Sequence, residues 1–319
     1  MVDFTYSPIA VSVLVLAIFI DLLLGDPWRL HPTYLTGKLI MALEPRLKNP
    51  NPKVERLNGV LLALAVIGLW AVPIYFGLKF ILATLGLLGY TIAAAIILKL
   101  TFSIRFETTL ANAAARAVET GDLAQGRKYV WYFSRRGTTN LNGSEIVSAI
   151  VESIAENLSD FKLSSIIYYA FFGVPGAFAF RTINNLDSVV GFKDKEHINI
   201  GWFTATLDTL ANYIPSRLSA LLIVFSSAIL GEDWKTAWKI ARRDRKKISS
   251  INHGWPIAAM AGALHVQLEK PGYYAVGDKA EELSPNHIKR TLRIRYVVII
   301  LCVILLLPIL LLTNLAFPF

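Results

Sequence analysis

Four acidic residues recur at helical spacing within the stretch SEIVSAIVESIAENLSD, residues 144–160. At about 100° per residue, Glu145, Glu152, Glu156 and Asp160 fall within a stripe roughly 80° wide on one helix face. Like charges at i, i+4 repel each other, so such a stripe persists where it is solvated, paired with cations or bound to a metal ion. No lysine or arginine lies within the stretch. The spacing leaves two interpretations open, a solvated helix face and a carboxylate-rich site for a metal ion or an amine.

Polar side chains also gather in the segment RTINNLDSVVG. On a helix, Arg181, Asn184 and Asn185 would share one face. Such a group either caps a helix before a turn or binds a ligand, and both interpretations stay open at this point.

Asp208 and Asn212 interrupt the apolar run of residues 202–230. Because polar groups are costly at membrane depth, they favour a cavity lined by protein over exposure to lipid. The segment NHGWP brings Asn252, His253 and Trp255 together before the small-residue run IAAMAGAL. A single histidine is usually structural, so the role of His253 as an acid or base is the weaker interpretation.

The chain is 54% hydrophobic and only 17% charged. About a quarter of the residues are charged in ordinary soluble domains, so this composition indicates an integral membrane protein. The net charge of +9 is explained by basic cytoplasmic loops, and no pattern typical of nucleic-acid binding is present. The single cysteine, Cys302, lies in an apolar run and excludes disulfide or zinc-finger chemistry.

Apolar runs of about 20 residues are long enough to cross ~30 Å of hydrocarbon as helices. Lys79 separates two of these runs and predicts a helical hairpin. The clear spans are predicted at residues 8–24, 57–76, 80–100 and 294–317.

The basic segments 26–56, 102–161 and 232–295 are predicted to be cytoplasmic, because lysine and arginine accumulate on that side. Between the last two of these segments, the run 202–230 has only about 13 unbroken apolar residues after its polar positions, too few for a simple span. We expect the whole region between those two segments, which also contains the helix-breaking sequence GVPG, to be re-entrant or buried, with two ordinary spans as the alternative.

The sequence therefore predicts an all-α polytopic integral membrane protein. It has about four clear transmembrane helices, with re-entrant or buried helices and cytoplasmic helical segments in addition. Residues 1–319 are expected to form a single membrane-embedded domain, and the polar, catalytic-like region lies in residues 102–293. The stretch 103–135 is predicted to be helical with a break at Gly121.

Several long segments resemble the CobD or CbiB family of cobalamin biosynthesis, the membrane-bound adenosylcobinamide-phosphate synthases. In chain order they are DLLLGDPWRLHPTYLTGKLI, VESIAENLSD, GAFAFRTINNLDSVVG, GWFTATLDTLANYIPSRLSALL and NHGWPIAAMAGAL. The resemblance covers most of the chain.

The resemblance implies an amide ligation at the cell membrane. The basic segments predict that the active site faces the cytoplasm. A propionate carboxylate of adenosylcobyric acid is joined to 1-amino-2-propanol or to its O-phosphate. ATP and Mg²⁺ would activate the carboxylate, although the sequence has no phosphate-binding loop. The implied partners are the corrinoid, the amine and the lipid bilayer, with no nucleic acid. A complex with other cobalamin-assembly enzymes is left open.

On this chemistry, Mg²⁺ is expected at Glu152, Glu156 and Asp160. The expected catalytic residues are Glu152 and Glu156, together with Glu145 or Asp187 to accept the ammonium proton or bind the ammonium. The remaining expected substrate-binding residues are Arg135, Arg136 and Arg181 for phosphate oxygens, Asn184, Asn185 and His253 for corrin amides, Trp202 and Trp255 for the ring, and Asn157, Asp208, Asn212 and Asn252 nearby.

Two other functions compete with ligation. Buried polar groups also mark solute pathways, so a membrane protein that binds or transports corrinoids without ligase activity is the alternative. A prenyl-type transferase would need paired aspartates for Mg²⁺-pyrophosphate, and no DDxxD motif is present.

Overall fold

The computed structural model of the protein describes residues 7–26, 31–133 and 137–312. In chain order its helices and strands are α1 (Ser7–Leu24), α2 (Pro32–Leu47), α3 (Pro52–Lys99), α4 (Arg105–Glu119), α5 (Leu123–Phe133), α6 (Gly143–Asn157), a π-helical turn (Leu158–Leu163), α7 (Ser164–Val190), α8 (Trp202–Ala211), α9 (Tyr213–Leu230), α10 (Trp234–Asp244), a 3-10 turn (Arg245–Lys247), α11 (Gly254–Ala263), β1 (Leu268–Lys270), β2 (Tyr274–Val276) and α12 (Pro285–Leu312).

Four helical stretches are long and apolar enough to cross a membrane, and α1 is a shorter apolar helix. They are α3, the continuous stretch Gly143–Val190, α9 and α12. Strands β1 and β2 pair antiparallel over three residues each. The chain is therefore an all-α polytopic membrane protein, as the composition predicts.

The boundary predicted at Lys79 is wrong. Lys79 lies within α3, and the backbone leaves helical geometry at Gly86, with φ 65° and ψ −166°. Lysine is a good helix former, whereas glycine adopts positive φ without a steric penalty. A second break of the same kind occurs at Gly173 in α7, with φ 66° and ψ −167°. This one confirms the interruption predicted from GVPG.

The run 202–230 contains a helix of span length, contrary to expectation. Asn212 separates α8 from α9, and α9 has 18 residues from Tyr213 to Leu230. Pro215 lies in the first turn of α9, where a missing N–H disrupts no helical hydrogen bond. The helix therefore begins before the proline. The last predicted span also begins earlier than expected, at Pro285, and its residues 313–317 lie outside the described residues.

The described residues divide into two compact units. The first consists of the described residues within 1–103, 164–211 and 306–319, and the second of those within 104–163 and 212–305.

One buried hydrophobic cluster of the first unit joins α2, α3 and α7. Its buried side chains are Ile40, Leu62, Ala63, Val66, Leu186 and Val190. The rings of Trp70 and Phe178 extend this contact, with centroids 5.3 Å apart. The packing fixes the C-terminal half of α7, which carries the polar group around Asn184.

In the second unit, α6 is buried on every side between Ile146 and Ala155. It packs against α4, α5, α11 and β1. The predicted break at Gly121 is confirmed, because α4 ends at Glu119 and Gly121 has φ 78° before α5 begins. These elements surround the helix that carries the acidic residues.

Candidate metal-binding site

The acidic stretch ends in a π-helical turn, Leu158–Leu163, directly after α6. Single-turn π-helices inside α-helices are frequent at functional sites. Here the turn carries Asp160, and Glu156 lies in the last turn of α6. His253, just before α11, completes a group whose ligand atoms all lie within 4.8 Å of one another.

His253 lies between the two carboxylates. Its Nδ1 is 3.1 Å from Glu156 Oε1, and its Nε2 is 2.9 Å from Asp160 Oδ2. In the imidazolium form both ring nitrogens donate, one to each carboxylate; in the neutral form one of them is free to act as an acceptor or a metal ligand.

The same donor set fits a divalent cation. Mg²⁺ is usually held by one or two carboxylates together with water and phosphate oxygens, and Glu156 and Asp160 supply that number. His253 adds a nitrogen ligand of the kind preferred by Mn²⁺, Fe²⁺ or Zn²⁺. Asp160 is 6% exposed and its Oδ1 accepts a hydrogen bond from Ser159 over 3.2 Å, which orients the carboxylate.

Glu152, the third expected metal ligand, lies one turn before Glu156 and outside this group. It is only 2% exposed, so a solvated helix face is excluded for Glu152 as well as for the buried Asp160. The position of His253 in the group was not expected from the sequence, because it lies 93 residues after Asp160.

Glu145 forms a capping box at the start of α6. Its carboxylate accepts a hydrogen bond from the Asn142 N–H over 2.7 Å, and its own N–H donates to Asn142 Oδ1 over 2.9 Å. These bonds satisfy two backbone donors that have no partner within the helix. The contacts give Glu145 a structural task, and its expected role as a proton acceptor stays a prediction.

A buried ionic cluster in the second unit was missed from the sequence. Glu107 Oε2 lies 2.9 Å from Lys162 Nζ and 2.7 Å from a guanidinium nitrogen of Arg295. Its other oxygen accepts a hydrogen bond from Asn157 Nδ2 over 3.1 Å. Burial raises the pKa of Glu107, but the two cations outweigh it and the net shift is downward. Asn157, an expected binding residue, is thus tied to this cluster.

Of the other expected binding residues in this unit, Asn252 is 3% exposed and its Oδ1 accepts a hydrogen bond from Arg217 over 2.8 Å. Trp255 is half-buried in the first turn of α11. Asn212 is fully buried where α9 begins. Arg135 and Arg136, expected to bind phosphate, lie outside the described residues.

The first unit brings four of the expected binding residues together. Arg181 donates to Asn184 Oδ1 over 2.7 Å, and Asn184 Nδ2 donates to Asp208 Oδ1 over 3.3 Å. Asn185 Nδ2 donates to the carbonyl oxygen of Thr33 over 2.8 Å. Both asparagines and Asp208 are buried, so this face of α7 is an internal polar network.

Two further expected residues of this unit lie at its surface. Asp187 is half-buried beside Gly191, whose N–H donates to the Asp187 carbonyl oxygen over 2.8 Å. Trp202 is 48% exposed, and the Arg56 guanidinium carbon lies 5.8 Å from its ring centroid.

A charged group near the N-terminus was also missed. Lys99 Nζ lies 2.5 Å from Asp26 and 3.9 Å from the fully buried Asp21. His31 Nε2 is 4.0 Å from Asp26, but burial lowers the pKa of His31 to about 4, with Arg181 and Lys99 acting in the same direction. His31 is therefore neutral near pH 7, and its Nδ1 accepts a hydrogen bond from the Thr33 N–H.

Membrane-length helices and buried polar networks define an integral membrane protein with a charged interior. The family model described as CobD/Cbib protein matches residues 14–295. The chain belongs to the CobD/Cbib family.

Curated relatives agree with this assignment. A protein named "Probable cobalamin biosynthesis protein CobD" from Methanothermobacter thermautotrophicus is 36% identical over 292 residues, covering 91% of this chain and 95% of the relative. A protein of the same name from Thermoplasma volcanium is 37% identical, covering 90% of this chain and 92% of the relative. "Cobalamin biosynthesis protein CobD" from Dehalococcoides mccartyi is 35% identical, covering 88% of this chain and 91% of the relative. No solved structure matches the chain.

Proposed function

We propose that this protein is a membrane enzyme of cobalamin biosynthesis that forms an amide bond. A propionate carboxylate of adenosylcobyric acid would be joined to the amine of 1-amino-2-propanol or of its O-phosphate. Membership of the CobD/Cbib family and the names of its relatives support the pathway and a corrinoid substrate. The observation that carries the site is the group formed by Glu156, Asp160 and His253.

The chemistry explains why a charged, partly buried site is needed. A carboxylate and an ammonium ion do not condense readily in water, because the acid must be activated and the amine must lose its proton. We infer that ATP supplies the activation, and Mg²⁺ would supply neutralisation of the phosphate charges. Glu156 and Asp160 would hold that cation, with Glu152 one turn away as a further carboxylate.

The chain's own groups have complementary tasks in this proposal. The Asp160 carboxylate is oriented by Ser159, and His253 is held between two carboxylates, so the site is preorganised before substrates bind. A carboxylate at Asp187 or Glu145 would accept the ammonium proton. A role for Asn184 and Asn185 at the corrin amides is supported by the family resemblance alone, because both side chains are buried and donate to Asp208 and to the Thr33 carbonyl oxygen.

The site is proposed to face the cytoplasm from the cell membrane. The segments that flank the candidate spans are rich in lysine and arginine, which accumulate on the cytoplasmic side. Substrates made in the cytoplasm would then reach the site without crossing the bilayer.

A second candidate function is binding or transport of corrinoids without ligation. The buried network of Asn184 and Asp208 within the first unit favours it, because buried polar groups near spans also line solute pathways.

The test is mass spectrometry of the purified full-length protein with adenosylcobyric acid, ATP, Mg²⁺ and either amine. The variant Glu156→Gln/Asp160→Asn removes the two carboxylates of the site. The control Glu269→Gln/Glu282→Gln removes the same charge from two exposed side chains.

Ligation predicts a product equal to corrinoid plus amine less one water, formed by the wild type and the control but not by the site variant. Product from all three proteins would support ligase activity but would contradict the assignment of Glu156 and Asp160 to its active site. If the wild type forms no product yet binds the corrinoid, the second candidate function is favoured.

A further inference from the structure

An open cleft of about 590 Å³ lies along α10 and the adjoining 3-10 turn. Basic side chains and one indole line it: Lys235, Trp238, Lys239, Arg242, Arg243 and Arg245. None of these residues belongs to the candidate metal-binding site. The cleft is thus a separate concentration of positive charge.

Most of this charge has no partner within the part of the chain that the structure describes. Arg243 is paired, with its guanidinium 2.7 Å from Asp244 and 2.8 Å from Asp278. The other cations of the cleft form no ion pair with a described acidic side chain; they are Lys235, Lys239, Arg242 and Arg245. Like charges gathered in this way raise the free energy of the empty cleft and favour an anionic ligand.

Two stacked indoles hold the cations in place. The rings of Trp238 and Trp255 have centroids 6.4 Å apart and an interplanar angle of 27°. Arg245 lies 4.5 Å from the Trp255 centroid, and Arg242 lies 5.9 Å from that of Trp238. Arg245 donates one N–H group to the Arg242 carbonyl oxygen. Cation–π attraction orients each guanidinium, and the other N–H groups can donate to a ligand.

Arg217 adds a further cation at the same indole. Its guanidinium carbon is 5.8 Å from the Trp255 centroid, and it donates to Asn252 Oδ1 over 2.8 Å and to the Ile251 carbonyl oxygen over 3.2 Å. These bonds fix Arg217 before any ligand arrives. Arg217 is therefore held in position beside Trp255 by contacts within the protein.

We propose that this cleft binds a phosphate-bearing ligand. Guanidinium groups bind phosphate oxygens in a bidentate manner, and lysines add point charges for the remaining oxygens. The phosphate belongs either to a soluble polyphosphate, such as that of a nucleotide, or to an anionic phospholipid. A lipid source fits because α10 begins at Trp234, just after the candidate span α9 ends at Leu230. The inference rests on charge and geometry, and it stands whether or not the proposed ligation does.

The first arm of the test is calorimetric titration of inorganic triphosphate into the full-length protein in phosphatidylcholine nanodiscs. The variant Lys239→Gln/Arg242→Gln/Arg245→Gln removes cleft charge. The matched control Lys53→Gln/Lys128→Gln/Lys193→Gln removes the same charge from exposed positions outside the cleft. A soluble source predicts that the cleft variant binds at least about tenfold more weakly, whereas the control stays within about twofold.

The second arm is native mass spectrometry after exchange into detergent with added phosphatidylglycerol. A lipid source predicts that the wild type and the control retain this lipid, that the cleft variant loses it, and that none binds triphosphate. The proposal is overturned if the wild type binds neither triphosphate nor phosphatidylglycerol. It is also overturned if the cleft variant binds each ligand that the wild type binds with the same affinity.

Additional measurements distinguish a loss of phosphate binding from a loss of folding, and the phosphate proposal from the ligation proposal. The variant Arg242→Lys/Arg245→Lys preserves charge and should keep part of the affinity, and thermal unfolding verifies that each variant is folded. Ligation is assayed in parallel, so a protein that binds phosphate but forms no amide contradicts the proposed function alone.

Discussion

Arg295 donates a hydrogen bond over 2.7 Å to the carboxylate of Glu107, although 188 positions separate the two residues. Arg295 is fully buried and Glu107 is 6% exposed, so the contact links α12 to α4 inside the second unit. Lys162, at the end of the π-helical turn, shares the same carboxylate oxygen. The cluster therefore supports the turn that carries Asp160.

Glu107→Gln is expected to destabilise the protein by about 3–5 kcal/mol, because removing one member of a buried ion pair leaves charges uncompensated. Thermal unfolding in detergent measures the change. Adding Lys162→Met removes one of the stranded cations and should recover part of the loss. An equal loss in the single and double variants would contradict this account.

Glu145→Gln is expected to retain stability, because glutamine serves the capping box as well as glutamate does, and to lose ligation only if Glu145 rather than Asp187 accepts the ammonium proton. Glu145→Ala should cost roughly 1 kcal/mol through loss of the hydrogen bond from the Asn142 N–H to the Glu145 carboxylate, while the Asn142 cap remains. Unfolding curves and product formation are measured side by side. Stable protein without product in the glutamine variant would assign Glu145 to proton acceptance.

Gly86→Ala is expected to destabilise α3 by about 1–2 kcal/mol, since φ 65° is costly for any residue with a Cβ atom. Gly77 provides the control within the same helix. No atom lies within 4 Å of a Cβ built there, so Gly77→Ala should be neutral or stabilising by up to about 1 kcal/mol. Equal unfolding temperatures for the two variants would show that the break at Gly86 carries no strain.

Stability is expected to fall as the pH decreases from about 6.5 towards 4. The unfolded chain protonates His31 near its ordinary pKa of 6.5, whereas in the fold burial lowers this pKa to about 4. Between these values the unfolded state binds more protons, so the free energy of unfolding drops with pH, by up to about 3 kcal/mol. Asp26 opposes the shift, and Arg181 and Lys99 add to it.

The measurement is the free energy of unfolding between pH 4 and 7 in wild type and His31→Asn. Asparagine caps a helix well and does not titrate, so the variant should lose less stability over this range. Parallel curves for the two proteins would assign the acid sensitivity to other groups.

Local signals predicted much of the fold. The composition indicated a helical membrane protein, and Gly121 and the sequence GVPG marked two breaks correctly. The boundary placed at Lys79 was wrong because a lone charge was given more weight than the glycine at position 86. The run 202–230 was likewise predicted to be too interrupted for a simple span, although Pro215 lies in the first turn of α9, where proline is tolerated.

Sequence reasoning pointed to only part of the candidate site. Regular spacing identified Glu156 and Asp160, but periodicity along one helix carries no information about what packs against it. His253 and Glu107 join the acidic segment through contacts that span 93 and 50 positions. The burial of Glu152 likewise depends on neighbouring helices, which local spacing does not reveal.

The π-helical turn makes the second unit intolerant of changes in chain length. Its hydrogen bonds close over five residues instead of four, so it accommodates one residue more than an α-helical turn. Deleting one residue between Glu156 and Lys162 would restore regular α-helical geometry and leave the helices on either side in register, but it would change the relative directions of the side chains within the turn. Asp160 could not then face His253 while Lys162 still faces Glu107. The length of this turn therefore matters to the candidate site as much as the identities of Asp160 and Lys162.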